Sequence, residues 1–360
     1  MSHPSLADLG WGPTFATQVT AEELHEHIPA RVVAGHKNAF SLATEQGHFT
    51  ATLAGRVRRE AEESHDLPVA GDWVLAKPPA GGTAVIARRL ERRTVLSRRR
   101  PLDRSSRRTS AERQVLASNL DLVFVVTSLD QDLSPARLER TLALVWSGGA
   151  TPVVLLSKAD LCPDAEARML EIGATTCGVD VHVLSTVAGL GLEAIRGYFA
   201  PGVTACLIGS SGVGKTTLIN ALCGTERKTL AVRADDAKGR HATTERALFF
   251  LPQGGMLIDT PGLREIGLLD EHELSAAFAD ITALAQDCQF ADCSHRVEPG
   301  CAVQAAVTAG QLGRERYESY IKLGRELDYQ VSRDSVAKQQ ELKRKQKELG
   351  RRIKEFHKRS

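Results

Sequence analysis

The chain has no apolar run of eighteen residues, so no transmembrane helix is expected. Its start lacks a basic stretch followed by an apolar one, so no secretory signal is expected. No internal repeat is evident. Cysteine is sparse: Cys162, Cys177, Cys206 and Cys223 are scattered singly, and the other three cluster beside a histidine. That pattern fits a reducing compartment and a metal site better than a disulfide framework. Net charge is scarce too, at +2, so bulk charge says little about partners.

What is present looks globular. Of 360 residues, 42% are hydrophobic and 25% charged, enough for two or three domains. The positive charge is concentrated. Residues 88–113 hold eleven Arg against Glu91, Asp103 and Glu112, and residues 338–359 hold ten Lys or Arg against three Glu.

Residues 1–30 show few periodic apolar positions and read as a flexible N-terminal tail. Within 31–100, short alternating runs such as Ala39–Ala43, His48–Leu53 and Asp72–Lys77 are separated by Gly47, Gly55, Gly71 and Pro78-Pro79-Ala80-Gly81-Gly82. About five such strands suit an OB-fold β-barrel, although an SH3-like barrel or an open sheet carries the same signature. Residues 99–113, basic and Ser-rich, read as a linker. From there to 270 apolar strands alternate with helical stretches, the pattern of a largely parallel α/β sheet. Strands are expected at Leu122–Thr127, Val153–Leu156, Val181–Leu184 and Thr204–Ile208. Helices are expected from Ser134-Pro135 to Gly148-Gly149, from Pro163, and over Leu190–Phe199. A hairpin is expected to join Leu248–Leu251 to Met256–Ile258. Residues 271–335 turn helical, and 336–360 read as a basic C-terminal helix.

Gly209-Ser210-Ser211-Gly212-Val213-Gly214-Lys215-Thr216 fits G-x-x-x-x-G-K-[ST], the loop whose backbone N–H groups hold phosphate oxygens. It follows a strand and opens a helix, as that mechanism requires. Lys215 should reach the β- and γ-phosphates, the Thr216 hydroxyl should ligate Mg²⁺, and Thr217 lies beside it in the nucleotide site. About fifty residues earlier, Ser157-Lys158-Ala159-Asp160 follows the end of a strand. A carboxylate there accepts two hydrogen bonds from guanine that adenine cannot supply, so Asp160 should select GTP. Ser157 stands where Asn is usual. Ser185 and Thr186 fit the loop that contacts the base through backbone. Asp259-Thr260-Pro261-Gly262 is the phosphate-sensing D-x-x-G: Asp259 should hold Mg²⁺ through water, and the Gly262 N–H should contact the γ-phosphate. Thr243 or Thr244 is the candidate Mg²⁺-binding switch residue, with Thr243 favoured. Leu263 occupies the place of the water-orienting Gln of Ras-type enzymes, so intrinsic hydrolysis should be slow. His241 is the nearby polar candidate to supply the missing group; packing or contact with a partner would equally explain it.

In most GTPases the phosphate loop precedes the base reader. Here the order is reversed, as in a chain cut and rejoined elsewhere. Further on, Cys288, Cys293, His295 and Cys301 place three thiols and an imidazole within fourteen residues. That is a closed Cys₃His set suited to one structural zinc.

Together, these residues resemble the circularly permuted ribosome-assembly GTPases of the RsgA/YjeQ type. The likeness rests on Val69-Ala70-Gly71-Asp72-Trp73-Val74, the permuted order, the Gly239-Arg240-His241 switch and the Cys-x4-Cys-x-His-x5-Cys cluster. It implies an OB-fold, a permuted P-loop GTPase domain and a helical zinc-binding domain. It also implies GTP hydrolysis stimulated by the small ribosomal subunit and its rRNA, late subunit maturation in the cytoplasm, and a catalytic His241. The chain departs from the family at Ala242, where Thr is usual. A monomer without membrane association is expected. Two other classes stay open: another P-loop enzyme, against which Asp160 argues, and an RNA-binding adaptor with weak or degenerate NTPase activity, against which the intact Lys215, Thr216 and Asp259 argue.

Overall fold

A computed structural model describes residues 3–36, 39–60, 64–78, 82–99, 113–129, 133–176, 178–224, 246–260 and 271–328. The chain divides into two compact units, Met1–Leu268 and Leu269–Ser360.

In the first unit, β1 (Ile28–His36), β2 (Ala39–Thr44), β3 (Gly47–Leu53), β4 (Trp73–Lys77) and β5 (Ala84–Arg89) run in spatial order β1-β2-β3-β5-β4. A further β1–β4 pairing closes this circle into a five-stranded barrel, the OB-fold. Alternation drives it. In β2, Phe40 and Leu42 are buried while Ala39 and Ser41 are exposed. The narrow interior is filled by small residues around a few large ones: Ala30, Ala51, Ala76 and Ala84 beside Val32, Leu42 and Ile86. Fully burying each large aliphatic side chain contributes about 1.5–3 kcal/mol.

Next come β6 (Val95–Arg99) and β7 (Arg113–Ser118), which pair antiparallel with Arg99 opposite Arg113. The stretch read as a linker is therefore the connection of a β-hairpin. Residues 100–112 themselves lie outside the described residues.

The second sheet holds β8 (Leu122–Ser128), β9 (Thr151–Ser157), β10 (Asp180–Val183), β11 (Thr204–Ile208), β12 (Ala247–Phe250) and β13 (Met256–Asp259), in the order β10-β9-β8-β11-β13-β12. All pair in parallel except β12, which is antiparallel to β13. Strands β8, β9 and β11 are buried along nearly their whole length because helices cover both faces. The helix Pro135–Ser147 starts with Pro at its first position and stops at Gly148. The expected helix Leu190–Phe199 is shorter, Leu192–Arg196. Gly191, at φ +76°, caps its start, Gly197 follows its end, and Leu190 instead bridges to Ser185.

Barrel and sheet are one hydrogen-bonded surface, joined where Ala34 of β1 meets Ala247 of β12. A buried polar junction reinforces the join. Asp72, fully buried, takes two bonds from Arg92 at 2.8 Å, one from Ser118 Oγ at 2.6 Å and one from the Val69 N–H at 2.8 Å. Arg31 donates to Asn119 O and Thr204 Oγ1, both at 3.1 Å, and lies over the Trp73 ring. Burial lowers its pKa to about 10, so it stays charged at neutral pH. Gly71 is required here. At φ +93°, a Cβ would sit 2.2 Å from Ser118 O and drive the barrel turn off the hairpin base.

The N-terminal segment corrects the expectation of a flexible tail. Residues 13–16 and 21–26 are helical, and Leu9 and Phe15 are buried. Trp11 and Phe15 pack on Trp73, with ring centroids 4.8 and 5.9 Å away. Four apolar anchors at irregular spacing (Leu6, Leu9, Trp11, Phe15) have no helical or strand period, which is why the segment looks structureless in sequence.

The second unit is helical over Glu271–Ala277, Ala279–Ala285, Ala302–Thr308 and residues 314–328. Among the described residues, no helix is long and apolar enough to cross a membrane.

Candidate active site and metal centre

Parallel strands deliver their C-terminal ends to one edge of a sheet, where ligands of α/β folds bind. Each described motif leaves a strand at that edge. Ser157 ends β9, Ser185 follows β10, Gly209 follows β11, and Asp259 ends β13. The distant segments therefore meet.

The phosphate loop begins with Gly209 at φ +150°, where a Cβ would lie 2.2 Å from Val126 O. Ser210 and Ser211 continue it, and Gly212 and Gly214 take left-handed backbone angles. Val213 is buried and anchors the loop. The helix Lys215–Cys223 starts directly afterwards, which adds its positive end. The Lys215 ammonium is held against the loop, donating to Gly209 O at 2.7 Å and Ser210 O at 2.6 Å. Thr216 and Thr217 are exposed on the first turn. Asp259 pairs in register with Leu207, two residues before the loop. Burial pushes its carboxyl up, and the charge of Lys215 acts against that. A hydroxyl and a carboxylate beside this loop form an oxygen donor set of the kind Mg²⁺ takes.

Ser157 answers the question its substitution raises. It is 5% exposed, and its Oγ donates to Val213 O at 2.7 Å, tying the loop after β9 to the glycine-rich loop across fifty-six residues. Lys158 takes φ +60°, which turns the chain into the single turn Ala159–Leu161. The Asp160 carboxylate is oriented by Ser185, whose Oγ donates to Oδ1 at 2.5 Å while accepting the Ala188 N–H at 3.1 Å. Thr186 follows, half-buried. Sequence spacing could not reveal either tie, since both depend on strand order. His241, Thr243, Thr244 and Gly262 lie outside the described residues.

In the second unit, one ligand atom each from Cys288, Cys293, His295 and Cys301 lies within 4.8 Å of the others. Cys288 Sγ is 3.5 Å from His295 Nδ1 and 3.9 Å from Cys301 Sγ, and Cys301 Sγ is 3.6 Å from His295 Nδ1. A tetrahedral ion with bonds of about 2.3 Å to sulfur and about 2.0 Å to nitrogen sets its ligands roughly 3.5–3.8 Å apart, so the cluster fits. The neighbouring thiols shift in opposite directions: against burial, the N–H groups of Val303 and Ala302 and the adjacent thiols lower the Cys288 pKa, while burial and the thiols of Cys301 and Cys288 push Cys293 up to about 11. A thiolate is the form a metal binds. His295 adopts φ +60°, and its carbonyl is held by Gln304 Nε2 at 3.0 Å and the Tyr317 hydroxyl at 2.7 Å. Gln304 and Tyr317 carry no spacing signal and were invisible in sequence.

Comparison with known proteins agrees with this geometry. The family model described as RsgA GTPase matches residues 90–269. The chain is 41% identical over 338 residues to the small ribosomal subunit biogenesis GTPase RsgA of Opitutus terrae, covering 91% of both chains. It is 42% identical over 335 residues to the protein of the same name in Methanosarcina acetivorans, covering 92% of this chain and 88% of that one. Among solved structures, YjeQ from Thermotoga maritima aligns with a TM-score of 0.62 at 26% identity, over 84% of this chain and 98% of that one. YloQ, described as a circularly permuted GTPase, aligns with a TM-score of 0.60 at 24% identity, over 87% and 99%. With relatives this similar over about nine tenths of its length and a solved neighbour described as a circularly permuted GTPase, the chain belongs to the RsgA GTPase family as a circularly permuted GTP hydrolase.

Proposed function

We propose that this GTPase acts in late maturation of the small ribosomal subunit in the cytoplasm, binding the subunit through its rRNA as a monomer. Subunit binding stimulates GTP hydrolysis, and hydrolysis releases the protein. The observation that carries the nucleotide part is the meeting of Ser157, Ser185, Gly209 and Asp259 at one sheet edge, tied by the Ser157–Val213 bond.

In this reading, Asp160 accepts the guanine N–H groups while Ser157, Lys158, Ser185 and Thr186 shape the base site. The loop from Gly209 through Ser210, Ser211, Gly212, Val213 and Gly214 wraps the phosphates with Lys215, and Thr217 completes the site. Thr216, Thr243 and Asp259 hold Mg²⁺, directly or through water; the ion neutralises charge that develops on the phosphates. The Gly262 N–H senses the γ-phosphate. His241 supplies the polar group that Leu263 cannot. Zn²⁺ in the Cys288–Cys293–His295–Cys301 set is structural, because four protein ligands leave no open position. The expected divisions at 31–100 for the barrel, 101–270 for the GTPase domain and 271–335 for the zinc domain need adjusting at the barrel, whose first strand starts at Ile28 and is followed by the hairpin Val95–Ser118 across the 100/101 boundary; the basic helix proposed at 336–360 lies outside the described residues.

The rRNA reading is supported by charge. Arg binds phosphates bidentately, and the Arg-rich run and the basic C-terminal stretch flank the GTPase domain. Attraction of this kind falls steeply with salt. The test measures GTP turnover with and without purified small subunits at several salt concentrations. Acceleration that fades with salt is expected; an unchanged rate rejects the coupling. His241→Ala should abolish the stimulated rate and leave GTP affinity nearly unchanged, and a wild-type rate in that variant removes His241 from the mechanism.

A further inference from the structure

Between the last two metal-ligand candidates, His295 and Cys301, stands a carboxylate that is not one of the four. Glu298 is half-buried, and it folds the chain around itself. Its Oε1 accepts the Ser294 N–H at 3.1 Å and the Ser294 hydroxyl at 2.5 Å. Its Oε2 accepts the Arg296 N–H at 3.0 Å and the Val297 N–H at 3.1 Å. A charged acceptor makes these bonds stronger than neutral ones. None of the donors belongs to a ligand, so every thiol and the imidazole stay free for an ion.

The gripped residues stand directly before and after His295. That residue takes φ +60°, a left-handed backbone uncommon for a residue with a side chain. Such a conformation persists only where its surroundings enforce it. Glu298 enforces it through the N–H groups on both sides, and Gln304 and Tyr317 hold the His295 carbonyl. The buried imidazole then stands with Nδ1 3.5 Å from Cys288 Sγ and 3.6 Å from Cys301 Sγ. Beyond Glu298 the chain turns at Gly300, φ +71°, where a Cβ would lie 2.4 Å from Gln289 Oε1. The Gln289 N–H donates to Gly300 O at 3.1 Å, which ties the turn before Cys301 to the residue after Cys288. The spacing of the ligands is thus set by bonds among atoms that no metal would touch.

We infer that Glu298 is a positioning residue of the metal centre: it folds the loop 294–298 ahead of the ion and presents His295 to the three thiols. An ion then has little left to order in this loop, and preorganisation of that kind raises affinity. The inference rests on the zinc reading given above.

The test uses the full chain, zinc and a competing chelator of known affinity. Glu298→Gln keeps the size and one accepting oxygen, but it turns an NH₂ onto N–H donors. Zinc affinity should fall by roughly 10–100-fold, the usual effect of losing a group that orients a ligand. Ser294→Ala removes only the hydroxyl bond and should cost roughly two- to tenfold; it serves if the Gln variant does not fold. Cobalt(II) in place of zinc reads the ligand set directly. The wild type should show the visible bands of a tetrahedral ion, and Glu298→Gln a spectrum altered by the loss of His295 as a ligand. In zinc-free chains, amide exchange over residues 294–298 should stay about fivefold slower or more in the wild type than in Glu298→Gln. Equal protection of the helix Ala302–Thr308 in the two zinc-loaded proteins shows that the variant is folded. Equal zinc affinity in wild type and Glu298→Gln overturns the inference, and so does equal exchange over 294–298 in the zinc-free chains. A wild type that takes up no zinc removes the zinc reading itself, and this inference with it.

Discussion

Asp160→Asn separates base recognition from everything else in the site. Ser185 Oγ accepts the Ala188 N–H at 3.1 Å, so its own proton goes to Asp160 Oδ1 at 2.5 Å. An Asn at this position keeps its carbonyl toward Ser185 and therefore places its NH₂ where Oδ2 was. That NH₂ faces the guanine 2-amino group, donor against donor. One charge-assisted bond is lost and one donor is left unpaired, together about 3–5 kcal/mol. GTP affinity should fall by roughly 10²–10⁴-fold, at about 1.4 kcal/mol per tenfold. Xanthosine triphosphate carries a carbonyl at the same ring position and should bind the variant better than GTP does. Equilibrium competition among GTP, xanthosine triphosphate and ATP reads both effects. A loss of GTP affinity smaller than about tenfold, or no gain for the xanthine nucleotide, would refute the assignment of Asp160.

Asp72→Asn leaves the buried Arg92 charge without its partner and should cost about 3–5 kcal/mol. At about 2–4 °C per kcal/mol for a unit of this size, the thermal midpoint should drop by roughly 10 °C; a shift below about 2 °C would contradict the buried pair. Cys301→Ser, or a strong chelator, should remove about one zinc per chain and raise amide exchange over residues 288–308. Metal should also be lost as pH falls, because protons compete for the thiolates, and elemental analysis across pH checks both. Tyr198 OH donates to Asp180 Oδ2 at 2.7 Å and lies 2.8 Å from His182 Nε2. Burial and that carboxylate push its pKa up to about 12. The folded state then keeps a proton that the unfolded chain loses near 10, so this stability is present below about pH 10 and lost as pH rises toward 12. Tyr198→Phe should flatten the fall in unfolding midpoint over that window.

Legibility in sequence followed locality. The phosphate loop, the Cys₃His cluster and the alternating strands of the barrel depend on spacing within a few residues, and each could be read directly. The hairpin Val95–Ser118 could not, because its strands are polar and its pairing spans the Arg-rich run. The N-terminal segment failed for a related reason: Phe15 and Trp11 gain their order from Trp73, far along the chain. The Ser157 hydroxyl is the most instructive case. As a motif letter it weakened the guanine reader, yet its short reach suits the Val213 carbonyl that the sheet brings beside it. Arg246 offered no clue at all, because the Val115 carbonyl that it reaches lies 131 residues away.

The seam between Ala34 and Ala247 also sets a schedule for synthesis. The barrel can close by itself, since all five of its strands are made early. The edge of β1 that pairs with β4 near its start is free near its end until β12 emerges, about two hundred residues later. At about 5–20 residues per second, that is roughly 10–40 s during which a nascent chain carries a bare strand edge. A newly made copy is thus open to mispairing along that edge until β12, the strand just before the one that ends at Asp259, has been made.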